Sequence, residues 1–217
     1  MARTKKTAAE AHEAEKKELE LRKLRAETWR AELLLEKTVT ERTAEQADAA
    51  ANHIYTFWNE VNEETVKECV GELSLWHRQS ARCPITIVLN SPGGEVIHGL
   101  ALYDFLMSLR RKRHHITILC LGEAASMGGV LLQAGNTRVM GRNAFLMIHE
   151  VAYDTYGKSA NHRDELALVK KMESKLLRIL AHRSEFNVRE MRSRWERKDW
   201  WLDAKEALSL GFIDKIE

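Results

Sequence analysis

Ile85-Thr86-Ile87-Val88-Leu89-Asn90-Ser91-Pro92-Gly93-Gly94 is a short, nearly continuous apolar run that stops in a polar turn rich in proline and glycine. An apolar run without polar alternation reads as a parallel strand buried on both faces. Adjacent glycines after it let the backbone approach a ligand closely and aim N–H groups at it. Taken alone, the turn is equally well an ordinary strand-to-helix connection. A second copy of the pattern lies downstream: Ile116–Leu121 (ITILCL) is another buried strand, followed by Gly122-Glu123-Ala124-Ala125-Ser126-Met127-Gly128-Gly129.

Working outward, strands and helices alternate. His53–Trp58 reads as a strand and Glu63–Ser80 as a helix with Val66, Val70, Leu73 and Trp76 on one side. Glu95–Leu109 is an amphipathic helix, Ser126–Gln133 a helix starting at a serine, and Thr137–Met140 and Ala144–Ile148 short strands. Ala160–Ser184 carries Leu166, Val169, Leu176, Leu177 and Leu180 at helical spacing; Val188–Trp195 and Ala204–Leu210 close the chain, the last ended by Gly211. This alternation predicts an α/β domain with a mainly parallel sheet.

The first 48 residues differ. They hold 11 basic and 11 acidic side chains and neither glycine nor proline, while nine of the chain's 11 glycines fall between Gly93 and Gly157. Strong helix formers dominate, and Leu21, Leu24, Ala31 and Leu35, interrupted by Thr28, sit at heptad-like spacing. We expect a charged helical arm over 1–48, helical from about Ala8 to about Thr38, and a separate domain over 49–217. A partly disordered arm is the alternative. So polar a helix has little to bury against its own domain, which points to contact with another chain.

Composition excludes several classes. Of the 217 residues, 44% are hydrophobic and 30% charged, with a formal net charge of +2, too balanced for a chain that binds nucleic acid through its overall field. The basic stretch Arg110-Arg111-Lys112-Arg113-His114-His115 reads as a solvated helix end complementing the helix dipole. No apolar stretch nears the roughly 20 residues of a membrane span. Three separated cysteines, Cys69, Cys83 and Cys120, argue against a disulfide framework and for a reducing cytoplasm. No cluster has metal-ligand spacing and no phosphate loop is present, so neither a metal nor another cofactor is expected, and any ATP dependence belongs to a partner.

Candidate chemistry centres on Ser126. It sits in a strand–turn–helix setting with small neighbours, much as in a nucleophile elbow. Capping the following helix is its commoner use, although capping leaves the flanking glycines and alanines unexplained. A serine needs a base; His149 ends the run Phe145-Leu146-Met147-Ile148 and so lies at a strand end, where α/β sites form. A third group should orient the imidazole. Asp199 is one choice, with Trp200 and Trp201 beside it to shield it from solvent; Asp154, Asp164, Asp203 and Asp214 are rivals.

Leu89–Gly94, Gly122–Gly128 with Ala125-Ser126-Met127-Gly128, Met147-Ile148-His149, and Glu206-Ala207 through Gly211-Phe212-Ile213-Asp214 together resemble the proteolytic subunit of the Clp protease, ClpP, over about His53 to Ile216. The resemblance implies a ClpP/crotonase-like α/β fold with an added N-terminal charged helix. It implies a serine endopeptidase with Ser126 as nucleophile, His149 as general base, Asp199 as the triad aspartate, and the Gly94 and Met127 amides as oxyanion hole. It further implies a homo-oligomer of two stacked rings, usually heptameric, joined through a handle at about Val151–Ser184, digesting polypeptides delivered by an AAA+ unfoldase. Three features depart from the family: the arm replaces the axial loops, Glu150–Gly157 lacks the usual proline and paired glycine, and the Ser126–His149 span is short. Compact relatives of this kind occur in bacteriophages, so a head-maturation protease acting on a phage scaffold protein is one alternative, and a catalytically inactive assembly subunit another. An acyl-CoA enzyme of the crotonase type and a Ser/Lys peptidase fit less well, the first because all three triad residues are present and the second because no span is.

Overall fold

The computed structural model describes residues 2–153, 158–196 and 198–217. Asp154 and the rest of the 154–157 part of the segment after His149, within the expected handle, lie outside the described residues. The chain divides into two compact units, 1–49 and 50–217.

The first unit is helical: α1 spans Ala2–Ala51, well beyond the expected ends at Ala8 and Thr38. No glycine or proline interrupts it, and i,i+4 contacts such as the Arg22–Glu18 ion pair at 2.8 Å add local support. Leu21, Leu24, Trp29, Leu34 and Leu35 are exposed along it.

The second unit is an α/β body. Its strands are β1 (Ile54–Phe57), β2 (Ile85–Ser91), β3 (Ile116–Ala125), β4 (Thr137–Met140), β5 (Phe145–Ile148), β6 (Trp200–Asp203) and β7 (Lys215–Ile216). The main path runs β1-β2-β3-β4-β7, all parallel, while β5 pairs with the far end of β3 and β6 pairs antiparallel with β5. Helices α2 (Glu63–Gln79), α3 (Val96–Arg111), α4 (Met127–Leu132), α5 (Ser159–Ala181), α6 (Val188–Trp195) and α7 (Ala204–Ser209) connect them. The core is formed by strand residues Ile85, Ile87, Leu89, Ile116, Ile118 and Leu146 against Leu73, Trp76, Leu102, Leu106, Leu177 and Trp195 of the helices. Val169, Leu176, Leu177 and Leu180 are buried as their spacing predicts, but Leu166 is exposed.

Local chemistry sets the boundaries. Asn62, Asn187 and Asp203 begin α2, α6 and α7 with reciprocal capping boxes, each cap being worth about 1 kcal/mol. His53, at φ 54°, cannot extend β1, so that strand starts one residue later than its sequence suggests.

Two strands are absent from the sequence reading. β6 and β7 are four and two residues long, too short for a periodicity signal. β3 also outruns its expected end at Leu121. Between the pairs Leu89↔Cys120 and Ser91↔Ala124, β2 has one residue, Asn90, where β3 has Leu121, Gly122 and Glu123. This bulge lets β3 leave β4, its partner through Cys120, and take β5 from Glu123 onward.

The reading of Arg110–His115 as a solvated helix end fails at His114, which is 1% exposed. Its Nδ1 lies 3.0 Å from the Cys83 carbonyl oxygen and its Nε2 2.8 Å from His77 Nδ1. Lys112 Nζ sits 3.2 Å from His77 Nε2, closing a polar chain at the amino end of the sheet.

Candidate active site

Strand register brings the candidate residues together. β3 and β5 are parallel with Ala125 opposite Met147, so Ser126 and His149 both emerge just past paired positions. The Ser126 amide donates to the Met147 carbonyl at 2.9 Å and ties the two strand ends. Across the antiparallel pair, Ile148 faces Trp200, so the next residues outward are His149 and Asp199. The adjacency of histidine and aspartate thus follows from β6.

Ser126 Oγ lies 2.8 Å from His149 Nε2, within hydrogen-bond distance. His149 Nδ1 then faces Asp199 Oδ1 at 3.7 Å, longer than a hydrogen bond. Asp199 is 64% exposed, against 26% for His149. Its tryptophan neighbours do not shield it, contrary to expectation. Trp200 turns inward onto Phe186 and Phe212, and Trp201 turns outward to meet Phe145 edge-on.

The rival aspartates are engaged elsewhere or set apart. Asp203 caps α7 by accepting from Glu206 N at 2.8 Å, Asp214 is held by Arg138 and Arg183, and Asp164 is exposed on α5.

Ser126 does not cap α4: its side chain makes no capping hydrogen bond to that helix. Its backbone, at φ 51° and ψ −118°, occupies a region a non-glycine residue enters at a cost of about 1–3 kcal/mol. Strain of this kind lifts the hydroxyl out of the strand end toward the histidine.

The turn after β2 packs on that shoulder. A Cβ on Gly93, whose φ is 97°, would fall 2.5 Å from Ser126 Cβ and 3.0 Å from Met127 N. Only glycine fits there. Val61 N donates to the Gly93 carbonyl at 2.6 Å and Glu95 N donates to the Val61 carbonyl at 2.7 Å, which pins the turn on both sides of Gly94. Among the described residues, neither the Gly94 nor the Met127 amide donates to a protein acceptor. Two unspent N–H groups, one adjoining Ser126 in the chain and one a residue beyond the glycine packed on it, are the kind of donors that bind a developing negative charge.

The sequence reading left out Ser91, which is fully buried at the foot of this turn. Its Oγ donates to the Asn59 carbonyl at 2.7 Å and accepts from Gly93 N at 3.2 Å. The available signal was a hydroxyl ending an apolar strand, where a buried polar group needs partners.

Beside Ser126 and His149 opens a small, narrow cleft, lined chiefly by Val96, Val130, Ile148, Leu176, Leu180 and Trp195. Among the described residues no three His, Cys, Asp or Glu side chains are grouped to hold a metal, and no helix is long and apolar enough to cross a membrane.

The arrangement can therefore activate a hydroxyl and stabilise an oxyanion beside an apolar wall. A family model described as Clp protease matches residues 36–217, from within α1 to the last residue and farther toward the N-terminus than the quoted motifs reach. With a mixed α/β body, a mostly parallel sheet and that match over most of its length, the chain belongs to the Clp protease family, the ClpP-type serine peptidases.

Proposed function

We propose that the chain is an endopeptidase in which Ser126, His149 and Asp199 form the catalytic triad and the Gly94 and Met127 amides the oxyanion hole. The observation that carries this reading is the 2.8 Å Ser126–His149 hydrogen bond at the mouth of an apolar cleft. Ser126 Oγ attacks the scissile carbonyl carbon as His149 Nε2 takes its proton. The Asp199 carboxylate faces the imidazolium that results. Its 3.7 Å separation is within the loose range of a substrate-free site and shortens as positive charge develops. The carbonyl oxygen, now anionic, accepts from the Gly94 and Met127 amides; each such donor contributes about 10²–10³ in rate. His149 returns the proton to the leaving amine; water then attacks the acyl-enzyme carbonyl as His149 takes its proton, and Ser126 Oγ leaves with that proton. An apolar lining favours an apolar side chain on the acyl side of the cleaved bond.

Clp proteases of this kind typically form oligomeric rings that work with unfoldases. We extend that assembly to this chain: residues 49–217 as the protease domain of stacked rings, and the charged arm over 1–48 as a segment that contacts another chain. The three buried, unpaired cysteines fit a reducing compartment such as the cytoplasm.

Intact-mass analysis of fluorophosphonate labelling tests the triad. One adduct on the wild type and none on Ser126→Ala is the expected result; equal labelling of both proteins refutes it. Asp199→Ala should slow labelling by about 10- to 100-fold, less than where a triad aspartate is buried and hydrogen-bonded.

A further inference from the structure

We infer that Asn90 is a positioning residue for Ser126, acting through the bulge in β3; this rests on Ser126 being the nucleophile. At the bulge, three β3 residues face one β2 residue, and that single residue is Asn90. A bulge leaves ladder amides without their regular partner. Asn90 answers with its side chain, its Oδ1 accepting from the Glu123 amide at 3.1 Å. Gly122, at φ 82°, lies so close that a Cβ there would fall 2.6 Å from the same Oδ1. Amide and glycine thus interlock at one point.

The contact matters because β3 changes partner at the bulge. Through Cys120, β3 is held by β2 and β4; from Glu123 β5 replaces β4, and β2 rejoins only at the Ser91–Ala124 pair. Glu123 is thus the first residue of the segment that aims the strand end at Met147, and Ser126 is three residues farther along. The strained φ of Ser126 persists only if both sides of the turn are held. The Ser126 amide bond to Met147 holds it from within, and the Asn90–Glu123 bond holds the segment where the pairing switches. Asn90 touches no reacting atom in the proposed mechanism. It sets where the hydroxyl sits relative to His149 and to the amide of Met127.

The test compares Asn90→Ala, Asn90→Leu and Asn90→Asp in the full chain. Ala and Leu both remove the acceptor, and Leu keeps the shape, so it carries the test if the alanine variant does not fold. Asp keeps the acceptor. The readouts are the fluorophosphonate labelling rate of Ser126, kcat and KM on a fluorogenic peptide with an apolar residue before the cleaved bond, and Tm. A small misplacement of a reacting atom costs about 10²-fold, so Ala and Leu should lower labelling and kcat by about 10- to 100-fold. KM should stay within about twofold, because cleft binding is untouched. Asn90→Asp should recover most of the rate. Exchange of the Glu123 amide should quicken in Ala and Leu and stay slow in Asp. Wild-type labelling rates in folded Ala or Leu variants overturn the inference, as does an Asp variant as slow as they are. Labelling of the wild type at a residue other than Ser126 overturns the triad itself, which the Ser126→Ala control reveals separately.

Discussion

The two ends of the parallel sheet are built on opposite terms. At the carboxyl end, Ser126 holds a strained backbone, Gly93 and Gly94 have positive φ, two amides are unspent and Asp199 stands mostly in solvent. At the amino end the polar groups are matched, and His114 and Arg138 are buried. His114 is bonded on both ring nitrogens, and Arg138, 3% exposed, donates to Gln133 Oε1 at 2.7 Å and to both oxygens of Asp214. Arg183 reaches the same carboxylate from the end of α5 and also the carbonyl oxygens of Gly135 and Asn136. The difference separates the end proposed for chemistry from the end that holds the fold. Unspent hydrogen-bonding capacity is what a reaction centre needs, and such a site costs stability that the rest of the fold must supply.

Substitutions at the two ends should therefore separate activity from stability. Gly93→Ala should have the largest effect. Its methyl group collides with Ser126 Cβ on a backbone alanine avoids, so kcat/KM should fall by at least about 10²-fold. Peptide hydrolysis by the purified variant checks this, and a near-normal rate would mean that the turn does not shape the site.

Arg138→Ala should do the reverse. It leaves Asp214 with Arg183 and the backbone amide at position 138 and strands the Gln133 amide oxygen, costing about 2–3 kcal/mol of stability. The rate per folded molecule should hold, as chemical denaturation combined with active-site titration will reveal. A selective loss of kcat would tie the two ends together.

The smallest effect concerns pH. Desolvation pushes the Asp214 carboxyl upward, but the hydrogen bonds and positive charge of Arg138, with Arg183 behind them, outweigh it and hold the group below its ordinary range. A depressed carboxylate contributes stability above its unfolded pKa of about 3.9 and loses it as pH falls through the folded value. Asp214→Asn should thus be less stable than wild type at neutral pH, and the gap should narrow below about pH 4. Parallel denaturation curves across that range would show that Asp214 is not linked to folding.

Much of this was legible in the residues. ITIVL and ITILCL announced buried strands, the paired glycines announced turns that crowd the backbone, and the small neighbours of Ser126 marked a hydroxyl at a strand end. These are local signals, because strand burial and turn chemistry act within a few residues. Tertiary structure alone decided the rest. His149 meets Asp199 because β6, four residues with no periodicity of their own, pairs antiparallel with β5 across 50 positions of chain. His114 is buried because Cys83 and His77 arrive from other elements to partner its ring nitrogens, although the residues just before it in the chain are all basic. Asn90 earns a partner only because β3 bulges opposite it. Local propensity speaks for a residue and its near neighbours along the chain. Which polar group a folded chain sets against another depends on register, and register is decided when the whole sheet closes.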